Sequence, residues 1–232
     1  MTFPGVKSAS AADPAQFPPE APKGCLLCPR LVAFRRANED LHPGWFNGAV
    51  PSFGSMDGRL LIVGLAPGLQ GANRTGRPFT GDWAGDLLYA TLAAYGFSAG
   101  QYDERPDDGL ELRDTVISNA VRCVPPGNKP TGAEIITCRT FLAARIQSLP
   151  NLEIILALGR IAHDSTVRAL GGKPGAAVFG HNRRHALHRP EGPIALYDSY
   201  HCSRYNTNTG RLTEAMFHAV FTAIRAELGP AP

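Results

Sequence analysis

The residues able to do chemistry fall into three groups, and the first is sulfur. Cys25 and Cys28 form a Cys-x-x-Cys pair, and Cys123 and Cys138 stand 15 positions apart farther along. Thiolates are soft metal ligands, and four of them converge if the N-terminal pair docks beside the segment that carries the other two. Zinc ribbons usually present two Cys-x-x-Cys pairs, and this chain has one; uneven spacing suits a cubane iron–sulfur cluster better. A redox Cys-x-x-Cys of the thioredoxin kind follows a strand and opens a helix, whereas this one precedes the first predicted strand. On spacing alone a cluster, a zinc ion and unrelated buried thiols all stay open. Cys202 is the fifth and odd cysteine, next to His201. A Cys–His pair can act as nucleophile and base, but neighbours on a strand point to opposite faces, which favours an incidental small residue.

The second group is a glycine-rich stretch, Gly64-Leu-Ala-Pro-Gly68, continuing as Leu-Gln-Gly71-Ala-Asn73-Arg-Thr-Gly76-Arg-Pro-Phe79-Thr-Gly81-Asp82. Pro67 and the spacing exclude Gly-x-Gly-x-x-Gly, and no Gly-Lys-Ser/Thr follows to make a P-loop. A nicotinamide site is therefore disfavoured. The loop is long, and long ordered loops are usually functional. The third group is polar: Asn119 to Cys123 and Tyr200 to Arg204 sit where strands should end.

Four apolar runs read as buried strands that would hold these groups: Arg59–Ala66, Thr115–Cys123, Glu153–Gly159 and Pro193–His201. Continuous apolar runs suit a parallel sheet covered on both faces. Helices are predicted over Arg30–Glu39, Ala84–Tyr95, Thr131–Leu149 (opening on the Thr131/Glu134 capping-box pattern), Ile161–Leu170 and Leu212–Leu228. Strand–helix alternation predicts a doubly wound α/β fold, a three-layer α/β/α sandwich, with ligands at the carboxyl ends of the strands.

The 232 residues accommodate one domain. Residues 1–22, rich in Pro, Ala and Ser, read as a disordered tail, and 23–232 as the single domain. No apolar run approaches the ~20 residues of a membrane span, and no secretory h-region is visible, so a cytoplasmic protein without a membrane partner is expected. There are 19 arginines and four lysines with a net charge of +3. Arginine grips phosphate bidentately, although GC-rich codon usage produces the same bias. Asp103–Asp114, net −4, reads as a solvated loop; Arg160–Arg211, net +5, reads as a polyanion face or a solvated surface.

Taken together, the sequence resembles the uracil-DNA glycosylase superfamily, and within it the family 5 (type b) iron–sulfur enzymes. The resemblance rests on GLAPG with GANRTGRPFTGD, on ISNAVRCVPPGNKP at 117–130, on SYHCSRYNTNTGRLT at 199–213 and on the four cysteine positions. It implies a four-stranded parallel sheet with helices on both faces. It implies a [4Fe–4S] cluster on Cys25, Cys28, Cys123 and Cys138, and hydrolysis of the N-glycosidic bond of uracil, and of other deaminated bases, in DNA to begin base excision repair. DNA, double-stranded and carrying a deaminated base, is the expected partner of a monomer.

Under that resemblance Phe79 stacks on the flipped base, Asn119 reads its edge with an amide that both donates and accepts, and His201 donates to O2 of the leaving base. A preorganised donor of this kind supplies ~2.7–4 kcal/mol. Other branches carry an acid where this chain has Leu65 or Ala66, so water activation must come from elsewhere or the reaction must be strongly dissociative, with little help from a base. Asn73 is the nearest polar candidate, with backbone groups of Ala66 and Gly68 to hold the water or the base, and small Ala66 leaves room for hypoxanthine or xanthine. The family usually has Pro where Cys202 stands, which puts the turn orienting His201 in question. Arg204 or Tyr205 would fill the vacated stack, and Arg74, Arg77, Arg183, Arg184 and Arg211 would contact phosphates. Rival readings are a family 4-like, uracil-only enzyme, a non-catalytic iron–sulfur damage sensor, and a zinc α/β domain.

Overall fold

The computed structural model describes residues 17–230. In chain order the elements are α1 (Pro29–Leu41), β1 (Phe53–Gly54), β2 (Leu60–Gly64), α2 (Ala72–Thr75), α3 (Trp83–Ala94), β3 (Ser98–Ala99), β4 (Glu111–Leu112), β5 (Thr115–Asn119), α4 (Gly132–Gln147), β6 (Ile154–Leu158), α5 (Arg160–Ala169), β7 (Arg184–Arg189), β8 (Gly192–Ser199), α6 (Arg204–Asn208) and α7 (Glu214–Leu228). Alternation along β2 builds the layers. Leu60 and Ile62 face one way and pack with Leu88 and Leu92 of α3 and Phe217, Phe221 and Ile224 of α7. Leu61 and Val63 face the other way, onto Leu142 and Ile146 of α4 and Ala162 and Val167 of α5. All four β2 side chains are fully buried, each contributing about 1.5–3 kcal/mol.

The sheet order is β1-β5-β2-β6-β8-β7. The central four strands, β5-β2-β6-β8, pair in parallel, as the apolar runs predict. Two antiparallel edge strands enlarge the expected four-stranded sheet: β1 beside β5 and β7 beside β8. The chain leaves β2 for β5 on one side and then crosses to β6 on the other. The carboxyl end of β2 is therefore the topological switch point, where open α/β sheets bind ligands.

Helix ends follow local chemistry. Thr131 and Glu134 form the predicted capping box of α4, and Asp82, Ser203 and Thr213 cap α3, α6 and α7. The strand Thr115–Cys123 stops earlier than expected, at Asn119, so Ala120–Cys123 turn away from the sheet as loop. The acidic stretch is also not simply solvated: Asp108 and Asp114 are buried in two-pronged bonds from Arg77 and Arg59.

Residues 1–16 of the expected tail lie outside the described residues, and the rest of it belongs to the domain. Phe17 packs edge-on against Phe141 with ring centroids 6.0 Å apart. Glu20 accepts bonds from Arg122 Nη1 and from the Ser52 N–H, both at 3.0 Å, and from Arg145. Ala21 is buried with Leu31, Val121 and Phe141 in a third apolar cluster that also holds Cys123 and Cys138. Among the described residues no helix is long and apolar enough to cross a membrane.

Candidate active site

The loop after β2 and the residues after β5 and β8 meet at the switch point. Gly64 ends β2 beside Asn119, which ends β5. A Cβ on Gly64 would strike Asn119 Oδ1 and come within 2.6 Å of the Phe79 ring, so glycine there lets the amide and the aromatic face converge. Phe79 is buried and holds φ at +52°, a left-handed conformation costing of order 1–3 kcal/mol that only a supported site retains. The support is visible: Tyr89 Oη donates to Pro78 O at 2.6 Å and Tyr102 Oη to Phe79 O at 3.3 Å. A Cβ on Gly85 would collide with that same Phe79 carbonyl.

His201 follows β8 and completes the chamber. Its ring stacks near Phe79, centroids 5.8 Å apart and planes 26° apart. Asn206 Nδ2 donates to its carbonyl at 2.9 Å. Its Nδ1 is buried with no hydrogen-bond partner among the described residues, and desolvation lowers the ring's pKa to about 4. The imidazole is therefore neutral at physiological pH, and with the proton on Nδ1 it is an unspent donor. Asn119 is 3% exposed, lines the same chamber with Phe79 and His201, and its amide has no protein partner among the described residues.

Asp82 is the residue that sequence reasoning passed over. It caps α3, accepting from the Gly85 N–H at 3.3 Å, and lines both the chamber and the wider cleft above it. Gly68 and Gly71 have no side chain because the carboxylate occupies that space. Burial raises its pKa above the usual 3.8, against the lowering by the Gly85 and Ala84 amides. Asp82 thus puts a carboxylate on the cleft wall from the far end of the same glycine-rich loop, where Leu65 and Ala66 offer none. Its position after Gly81 was the available signal, but a carboxylate ahead of a helix reads first as a cap.

The wider cleft encloses about 640 Å³ and has Ala66, Gly68, Trp83, Arg160, Arg204 and Tyr205 on its walls. Tyr205 and Trp83 stand 72% and 48% exposed at its rim.

The family model of the Uracil DNA glycosylase superfamily matches residues 51–225. The chain belongs to this superfamily. A type-5 uracil-DNA glycosylase of Thermus thermophilus is 44% identical over 201 residues, covering 83% of this chain and 89% of its own. One of Pyrobaculum aerophilum is 36% identical over 209 residues, covering 88% and 89%. A type-4 uracil-DNA glycosylase of Thermotoga maritima is 35% identical over 144 residues, covering 62% and 60%. The family 5 resemblance read from the motifs is the one these glycosylases bear out.

Within this uracil DNA glycosylase fold, several expected site residues stand elsewhere. Asn73 is fully buried and does not line the cleft; its Nδ2 donates to Asn47 Oδ1 at 2.9 Å, joining two loops, while its Oδ1 has no hydrogen-bond partner among the described residues. Arg77 is 5% exposed and grips Asp108 with both Nη atoms at 2.7 and 2.6 Å. It props the Phe79 loop and has no reach to a phosphate. Arg184 is exposed but commits both Nε and Nη2 to Glu227, at 2.7 and 2.6 Å, tying β7 to α7. Arg74 donates to Gln70 O at 2.7 Å, and Arg183 to Val178 O at 2.9 Å. Arg204 and Tyr205 do line the cleft, joined by Arg160 and Trp83, which the motifs did not single out. Arg211 lies over Tyr200, 4.8 Å from its ring centroid. Cys202 is buried, its thiol directed at Ala84 O, and burial drives its pKa well up. It is a packing residue, not a nucleophile.

The other four cysteines line one cavity with Arg122 and Phe141. Burial pushes the Cys123 and Cys138 thiols up to about 12 and about 11, so a cation is needed to hold them as thiolates at neutral pH. The Arg122 N–H points at Cys138 Sγ, 3.2 Å away. Arg122, paired with Glu20, lines this cavity, and among the described residues the Nε atoms of Arg122 and of Arg35 have no acceptor. A guanidinium beside the thiols suits an anionic occupant.

Proposed function

We propose that this chain hydrolyses the N-glycosidic bond of uracil in DNA, acting as a single copy on a duplex from which the base is flipped. The observation that carries the reading is that His201, whose buried Nδ1 has no hydrogen-bond partner among the described residues, lines one chamber with Asn119 and Phe79. A buried polar atom without a partner costs about 1–3 kcal/mol, and the edge of a pyrimidine supplies complementary groups. Phe79 stacks on the base and Asn119 reads its O4/N3 edge. His201 donates to O2 as the electron pair of the C1′–N1 bond leaves with the base. Asp82, ionised, stabilises the cationic sugar and orients the water that adds to C1′; the proton of that water passes through the carboxylate to solvent. A neutral imidazole suits its part, because it donates without first having to give up a charge.

The four cysteines would hold a [4Fe–4S] cluster. They line one cavity beside the buried Arg122 guanidinium, and a fixed positive charge there favours an anionic centre. When bound, the cluster supplies a covalent staple between the N-terminal segment and the turn after β5. Small Ala66 at the cleft wall favours acceptance of hypoxanthine and xanthine beside uracil.

The test is release of free base from duplexes carrying uracil, hypoxanthine or xanthine. The wild-type chain is expected to release uracil and at least one purine, and His201→Ala to lose ~10²–10³ in kcat. Release of uracil alone points to a type-4-like, uracil-only enzyme, and release of none to a damage-binding protein.

A further inference from the structure

A second cleft of about 330 Å³ adjoins His201, walled by Phe179, Tyr200, Asn206, Arg160 and Arg211. It is built rather than incidental. Its outer wall, loop 177–183, is fastened to Asp198 of β8. Gly180 N–H donates to Asp198 Oδ2 at 3.1 Å, Asn182 N–H to Asp198 O at 2.8 Å, and Asp198 N–H to Arg183 O at 2.9 Å. Behind it, His163 bridges Asp198 Oδ1 and Ala177 O, each at 2.6 Å, and His185 Nε2 lies 2.9 Å from Asp198 Oδ2. With Asp198 ionised, both His163 nitrogens face acceptors, so both carry protons. This buried network fixes where the loop stands.

The cleft is lined by two half-buried aromatic rings, each with an exposed arginine against it, Arg160 by Phe179 and Arg211 by Tyr200. Phe179 packs edge-on against His163, centroids 5.6 Å apart, with the Arg160 guanidinium 5.7 Å from its own centroid. Tyr200 stacks on His181 at 5.0 Å, its N–H donating to His181 Nδ1 at 3.2 Å. Arg160 and Arg211 form no ion pair among the described residues, in contrast to Arg59, Arg77 and Arg184. Aromatic rings stack on bases, and guanidinium forks take phosphate oxygens. A ligand offering both at one site is a nucleotide.

We propose that this cleft binds the nucleotide adjacent to the lesion on the same strand, its base against Phe179 and Tyr200 and its phosphodiester between Arg160 and Arg211. This rests on the reading of the His201 chamber as the lesion site, since the two clefts share that residue. The neighbour is thereby drawn out of its stack, and the strand is held on one flank only.

The experiment places 2-aminopurine immediately 5′ or 3′ of a stable abasic analogue in a duplex. Binding of the full chain is followed by fluorescence and by anisotropy. The expected result is a change confined to one flank, lost in Phe179→Ala with about tenfold weaker binding and retained in Phe179→Tyr. Arg211→Ala should weaken binding similarly without abolishing the signal. Equal responses on both flanks, or a response unaltered in Phe179→Ala, overturns the proposal. Failure of the glycosylase reading has a separate signature, because it is absence of free uracil in the release assay.

Discussion

At the scale of single residues, the site is organised by what two side chains leave unsatisfied. His201 brings a neutral ring with an orphan nitrogen, and Asp82 brings a carboxylate whose burial raises its pKa. The pH dependence follows with its sign. In the proposed role Asp82 acts ionised, so kcat should fall as the pH drops through a limb that burial raises above the usual 3.8 of an aspartate. His201 is already neutral down to about 4, so it contributes no limb between pH 8 and 5. Asp82→Asn should lower kcat and remove the acid limb, while His201→Ala should lower kcat and keep the limb. Steady-state profiles of the three proteins check this. Stability has the opposite bookkeeping for His201. Its folded pKa lies below the unfolded ~6.5, so its neutral-state contribution is whole above pH 6.5 and is lost as the pH falls toward 4.

At the scale of elements, the cysteine cradle joins α1, the turn after β5 and α4. Cys123→Ser should lose the brown colour and visible absorbance of the purified protein and lower its soluble yield; retention of full absorbance removes Cys123 from the ligand set. This scale also shows what the sequence made legible. The four central strands and the long helices were readable because each buries a continuous or helically spaced apolar set. Strand β7, Arg-His-Ala-Leu-His-Arg, was not, because only alternate residues are even partly covered and its polarity resembles a basic loop. The place of Asp82 on the cleft wall was hidden for a related reason: a carboxylate just ahead of a helix reads first as a cap, and only the folded loop brings it against Gly68 and Gly71. Nothing local announces that the Asn73 Nδ2 is spent on Asn47, 26 residues earlier.

At the scale of the molecule, the arginine excess divides by partner. Arg59, Arg77, Arg122, Arg145 and Arg184 answer carboxylates inside the fold, while Arg160, Arg204 and Arg211 surround the two clefts. Duplex affinity should therefore respond unequally. Arg204→Ala should reduce the slope of log K against log salt by about 0.9, the worth of one phosphate contact. Arg184→Ala should leave that slope unchanged and cost at most ~1 kcal/mol of stability, as exposed ion pairs do. Salt titrations of binding together with denaturant melts separate the two. The Asn47–Asn73 joint carries a further consequence. Asn47 also donates to His42 O beyond the end of α1, and the Asn47 and Phe46 N–H groups bond to the carbonyls of Asn73 and Arg74 in α2. The helix capped by Cys28 and the loop that ends at Asp82 are thus coupled through this clasp. Loosening of the four-cysteine end of that helix would travel along it and reach the cleft loop as slackness, so that base release falls when the cysteines are oxidised.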